Sequence, residues 1–145
     1  MKRTIPIILA AAFVVTGCAT SPVGVTQSRP VPQSKVKATP ARAVASMAEG
    51  GRVIIVRDTG LLGGGGGLRL LVDGLPVADL ATADRYEVIL AEGEYILGLL
   101  PSVNLFSAST VKETAVFVRK GQTYTFRVGL DASGLFIQRS TLSGR

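Results

Sequence analysis

Alternation with a period of two is the feature that most constrains this chain. Tyr124, Phe126, Val128 and Leu130 are interleaved with Thr123, Thr125 and Arg127, as in a strand with one face in a core and the other in water. The pattern recurs between turn signals. Tyr86, Val88 and Leu90 alternate with Arg85, Glu87 and Ile89. Tyr95, Leu97 and Leu99 alternate with Ile96, Gly98 and Leu100, and Thr114, Val116 and Val118 with Ala115, Phe117 and Arg119. Shorter runs stand at 53–57, 68–72, 76–80 and 135–139. Asp73-Gly74 is the strongest hairpin signal, because a tight two-residue turn needs left-handed backbone at both positions. Glu92-Gly93, Lys120-Gly121 and residues 131–134 mark further turns. Pro76 lacks an amide donor and belongs at a strand start or an edge. About seven to eight short strands at this spacing predict an all-β fold, an antiparallel β-sandwich over residues 49–145, with a small barrel as the alternative. The expected core is Val53, Ile55, Leu70, Val72, Tyr86, Val88, Leu90, Leu97, Val116, Val118, Tyr124, Phe126 and Val128.

The first residues carry a different signal. Lys2 and Arg3 precede an apolar stretch from Ile5 to Val15. As a helix it would extend about 16 Å, half a hydrocarbon core, so it reads as a signal peptide and not as a membrane span. Val15-Thr16-Gly17-Cys18 follows at its end. These four residues resemble the lipobox of bacterial lipoproteins, with Val15 in place of the usual leucine. The resemblance implies that the Cys18 thiol receives a diacylglycerol, that the bond between Gly17 and Cys18 is cut, and that the new amine is acylated with a fatty acid such as palmitate. Residues 1–17 are then a signal peptide and Cys18 is the lipid attachment residue. Ala19 in place of aspartate implies an address at the periplasmic face of the cell outer membrane.

Residues 18–48 read as the lipidated cysteine and a flexible tether. Pro22, Pro30, Pro32 and Pro40 stand among Ser, Thr, Val and Lys, a composition that cannot bury enough apolar surface by itself to offset chain entropy. Residues 40–49 form one short expected helix, opened by Thr39-Pro40 and closed by Gly50-Gly51. The signal segment, with Lys2 and Arg3, and the tether, with Arg29, Lys35, Lys37 and Arg42, together explain the charge. The chain carries a formal net charge of +6, yet residues 49–145 hold ten basic and ten acidic side chains. The surplus lies near the membrane, and the folded part has no excess of basic residues of the kind nucleic-acid binding requires.

The sandwich region has a resemblance of its own. A hydrophobic strand ending at Arg57, then Leu71-Val72-Asp73-Gly74, Glu92-Gly93-Glu94-Tyr95 and Lys120-Gly121-Gln122-Thr123-Tyr124 are similar to a domain-of-unknown-function family of bacterial lipoproteins. That family has a small transthyretin-like or carboxypeptidase-regulatory-like sandwich. The likeness spans about residues 50–140 and implies a fold and an address but no chemistry.

Candidate chemistry is thin. The chain has no histidine and no tryptophan, which excludes a Ser-His-Asp triad and removes the commonest metal ligand. The five glycines at 63–67 lead into Leu68-Arg69-Leu70 and not into the Lys-Ser/Thr and helix of a phosphate loop. Ser109-Thr110-Val111-Lys112 has the spacing of penicillin-binding enzymes without their companion motifs. No calcium-loop run of aspartates occurs. No metal, cofactor or catalytic residue is therefore expected, and the only attached group is the lipid on Cys18. The expected function is that of a non-catalytic envelope module that binds another envelope protein, with loop residues Leu61, Leu62, Val103, Leu105 and Phe106 as its candidate contacts. The alternative is a small-ligand or polysaccharide binder lined by Tyr86, Tyr95, Tyr124 and Phe136. A carboxylate hydrolase ranks last.

Overall fold

The computed structural model describes residues 20–60, 66–102 and 110–141. Nine strands are present among these residues: β1 Arg29–Pro30, β2 Gly50–Arg57, β3 Leu68–Val72, β4 Leu75–Leu80, β5 Asp84–Ala91, β6 Gly93–Pro101, β7 Lys112–Val118, β8 Thr123–Asp131 and β9 Gly134–Ser140. They form two sheets. The first has the order β1-β5-β2-β8-β9 and the second β4-β3-β6-β7. The fold is an all-β sandwich, as the alternation predicts.

The turns are where the sequence puts them. Asp73 and Gly74 have φ of 50° and 77°, and Val72 pairs with Leu75 across them. Pro76 lies on β4, an edge strand. Of the expected core, every residue but Val88 is buried, and Val88 packs against the core from a half-buried position. The second sheet contributes more than expected: Leu68, Val77, Leu80, Tyr95 and Leu99 are also buried. In two places the strands depart from a wholly antiparallel arrangement. β1 runs parallel to β5, and β2 runs parallel to β8. β2 and β8 are distant in sequence, so no hairpin fixes their relative direction.

β2 is buried on both faces. Val53 and Ile55 point into the space between the sheets. Ile54 and Val56, on the opposite face, are covered by Val23, with Val25 and Ala83 beside them. A strand that is apolar on consecutive positions needs such double cover.

That cover corrects the reading of residues 18–48 as a free tether. From residue 20 onward the segment lies on the sandwich as a strap. Ser21 bridges Thr59, Val36 bridges Ala78 on β4, and Ala43 bridges Leu90 on β5. The strap therefore crosses first the outer face of the first sheet, then the lateral seam where edge strand β4 faces β5. The short helix expected over 40–49 is corrected too. Turns replace it, with Ala43 N–H donating to Pro40 O and Glu49 N–H to Ser46 O, while Val44 N–H leaves the local chain to bond Ile89 O at 2.9 Å. Isolated helices of this length are marginal, and the pairing with β5 prevails.

Two glycine substitutions test this packing by urea denaturation. A Cβ on Gly50 would stand 2.1 Å from Leu90 O, so Gly50→Ala must move backbone and should cost several kcal/mol, on the order of the larger core substitutions. Gly74 has open space around its Cα and loses only its left-handed freedom, about 1–2 kcal/mol on replacement by Ala.

Candidate functional site

Two regions concentrate unusual chemistry, one where the strap is held and one on the opposite seam. The strap is held by buried charge. Asp58 follows β2 directly, and its carboxylate is sealed from solvent. It accepts the Val23 N–H at 3.1 Å and two hydrogen bonds from the Arg127 guanidinium on β8, one from Nε at 3.1 Å and one from Nη2. Bidentate pairing of this kind satisfies a carboxylate that burial would otherwise penalise. Next to it, Ser21 N–H donates to Thr59 O at 2.6 Å and Thr59 N–H returns to Ser21 O at 3.1 Å. Asp84, at the start of β5, takes Arg29 Nε at 2.8 Å and caps the tight turn before it through Ala81 N–H at 2.8 Å. Arg85 reaches the carbonyl of Val25 at 2.8 Å.

The remaining strap contacts have the same polarity. Lys37 sits 3.2 Å from Asp79, which also accepts a two-pronged bond from Arg69. Arg42 lies 3.5 Å from Asp73 and stacks 3.9 Å above the Tyr95 ring. Basic strap residues thus meet acidic side chains of the sandwich at three stations. The hydrogen bond from Arg69 holds the Asp79 carboxyl below its ordinary pKa, against the opposing effect of burial. Burial lowers Arg57, whose guanidinium crosses the core to donate to Leu80 O at 2.6 Å.

The second region is the lateral seam between the other two edge strands, β7 and β9. It has no strap among the described residues. At one end it opens into a polar cleft of about 740 Å³ whose lining includes Phe117, Arg119, Lys120, Tyr124, Arg139 and Glu92. Phe117 is 55% exposed, the most exposed large apolar side chain among the described residues. Arg139 lies 5.1 Å from the Tyr124 ring centre and Arg119 6.0 Å from that of Phe117. Tyr124 Oη accepts the Arg119 N–H at 3.0 Å. At the other end a cleft of about 410 Å³ is bounded by Pro101, Lys112, Leu130 and Leu135.

No family model, curated protein or solved structure matches this chain. The site rests on geometry.

The candidate residues fare unevenly. Gly17, Cys18, Leu61, Leu62, Val103, Leu105 and Phe106 lie outside the described residues, as do the signal segment and most of the glycine run. Tyr86, Tyr95 and Tyr124 are core residues, at most 6% exposed, and Phe136 packs on the Cα of Gly129. They do not jointly line a ligand site. Lys112 of the S-x-x-K spacing opens strand β7, not a helix. Among the described residues no cluster of metal-ligating side chains occurs, and no helix is long and apolar enough to cross a membrane. Sequence reasoning missed Asp58, Arg127 and the cleft at β7 and β9. The acid directly after the β2 run was a usable signal for Asp58. The cleft had none, because β7 and β9 meet only in the folded state.

Asp58→Ala leaves Arg127 partly buried without its counter-ion and Val23 without its acceptor. It should cost about 3–5 kcal/mol and open residues 20–28 to limited proteolysis while β5–β8 stay protected. Acid should act through Asp79. Its folded pKa is depressed, so its pairing contributes fully above the ordinary aspartate pKa of about 3.9 and is lost as pH falls through the lower folded value. The stability gap between wild type and Asp79→Asn should narrow over that acid range and stay constant above it, as read by denaturation at each pH.

Proposed function

We propose that this chain is a lipid-anchored lipoprotein of the bacterial outer membrane, facing the periplasm, whose sandwich is a non-catalytic docking module for another envelope protein. The likeness of Val15-Thr16-Gly17-Cys18 to a lipobox supports the anchor. The turn motifs at 71–74, 92–95 and 120–124 support kinship with transthyretin-like lipoprotein domains. The observation that carries the reading is the strap. Ser21 is bonded to Thr59 and lies only three residues beyond Cys18. A lipid on Cys18 would be within about 11 Å of the sandwich along even a fully extended chain.

This changes what the anchor does. A free tether of residues 18–48 would let the domain roam above the bilayer. The bound strap instead holds the Thr59 end of the sandwich at the head groups. It takes one face and one seam out of play and leaves the β7–β9 seam open to a neighbour, along with the outer face of the second sheet. Several acyl chains give the firm attachment that a single chain lacks.

The anchor is tested by expressing the full chain in bacteria fed labelled palmitate. Wild type should incorporate label and sediment with outer membranes, and Cys18→Ser should do neither. An unlabelled wild-type chain with a free thiol in the soluble periplasm contradicts the proposal. Docking is tested separately, by photo-crosslinking from position 117 in intact cells. A discrete adduct with one envelope protein is expected, and no adduct contradicts a docking role.

A further inference from the structure

We infer that the open β7–β9 seam takes an extended acidic segment of a partner protein, laid along the sandwich as the strap is laid along the opposite seam. The inference rests on the docking part of the proposed function and names the partner's chemistry.

The sandwich supplies its own template. Each lateral seam brings together an edge strand from each sheet: β4 with β5 on one side, the latter capped only by the two residues of β1, and β7 with β9 on the other. An edge strand presents a row of unpaired backbone groups, which invites another extended segment. On the β4–β5 side that segment is the chain's own. Lys37 N–H bonds Val77 O at 2.8 Å and Val31 N–H bonds Arg85 O at 2.8 Å. On the β7–β9 side no segment occupies the equivalent place among the described residues.

Charge selects the occupant. On the closed seam the strap is basic and the wall is acidic, with Arg29 on Asp84 and Lys37 on Asp79. On the open seam the wall is basic at its Lys120 end, while Glu113 stands near the far end of β7 and Glu94 on β6 pairs with Phe117. Of the described arginines, six donate to a carboxylate or a carbonyl, and a seventh, Arg52, lies 3.4 Å from Glu87. The other two, Arg119 and Arg139, lie 6.0 and 5.1 Å from ring centres, have no carboxylate within ion-pair distance among the described residues, and line the same cleft with Lys120. Glu92 is the one acid in that lining, and one of its oxygens accepts the Lys120 N–H at 3.3 Å. The cleft therefore keeps a net positive charge. Guanidinium groups that lie near rings and lack a carboxylate partner are suited to planar, bidentate binding of carboxylates. Phe117, exposed beside them, offers a surface for an apolar side chain at an alternate position of the same segment. Acidic and apolar residues alternating along a strand match this wall, and the basic strap of a second copy does not.

The test uses the full chain purified in detergent micelles and a fluorescent peptide of alternating Glu and Val, as long as β7. Anisotropy should show saturable binding that weakens with added salt, and a Lys-Val peptide should not bind. Arg119→Glu and Arg139→Glu should each weaken binding by about tenfold or more, as charge reversal at a paired site does. Arg139→Glu also removes a contact with core residue Tyr124. Lys120→Glu, on the exposed turn, and Phe117→Ala supply variants that leave the core intact, and both should weaken binding. Backbone amides of β7 should slow their hydrogen exchange when the peptide is bound. Failure of the Glu-Val peptide to bind, equal binding of the Lys-Val peptide, or indifference to Lys120→Glu and Phe117→Ala would each overturn the inference. So would full displacement of the peptide by an acidic polysaccharide such as polygalacturonate, which would make the seam a glycan site. None of these readings depends on lipid at Cys18, so loss of the anchor proposal would leave the titration intact.

Discussion

The structure depends on covering both faces of β2. Four consecutive β-branched residues, Val53 to Val56, cannot all point into one core, because a strand sends neighbours to opposite sides. Val53 and Ile55 fill the space between the sheets. Ile54 and Val56 would face water without residues 20–28, and burying such side chains contributes roughly 1.5–3 kcal/mol each. Apolar cover alone does not fix where the covering segment lies. Asp58 does that, since its carboxylate is satisfied only when Arg127 on β8 and the Val23 amide both reach it. Hydrophobic cover and a buried ion pair thus act on the same few residues, the first as driving force and the second as register.

The same arrangement organises the surface. Because the strap is basic, it draws its complement onto the sandwich at Asp84, Asp79 and Asp73. The near balance of charge in residues 49–145 conceals this division. Asp58, Asp73, Asp79 and Asp84 are committed to the strap, and Arg119, Lys120 and Arg139 gather with Glu92 on the far seam. A neutral domain with a polarised surface is suited to one-sided contact, and an anchor placed close to Ser21 would orient that polarity relative to a membrane.

Much of the fold was legible from alternation and turn chemistry. The Asp73-Gly74 hairpin, Pro76 on an edge strand and the faces of β5, β7 and β8 follow from local rules. The strap was not legible by the same means. Its prolines and hydroxyl residues do lack the content to form a core of their own, which is what the compositional rule measures. The rule does not count surface supplied by another part of the chain. Val23, Val25, Val31, Val36 and Val44 have no common period: the first two meet the outer face of β2, Val31 and Val44 meet separate points of β5, and Val36 meets β4. The uninterrupted run of β2 implied a second cover without saying which residues provide it. The cleft was hidden for a related reason. Phe117 reads as an ordinary residue of a polar strand face, Lys120 as a turn residue and Arg139 as a strand end. Only tertiary structure places them together.

Hydrogen exchange on the wild-type chain tests the central claim most directly. If the strap is part of the fold, the bonded amides of Val23, Arg29, Val31, Lys37 and Val44 exchange slowly, with protection approaching that of the β2 amides. Exchange of these five at the rate of an unstructured chain, beside a protected β2, would contradict the account and return the segment to the role of a free tether.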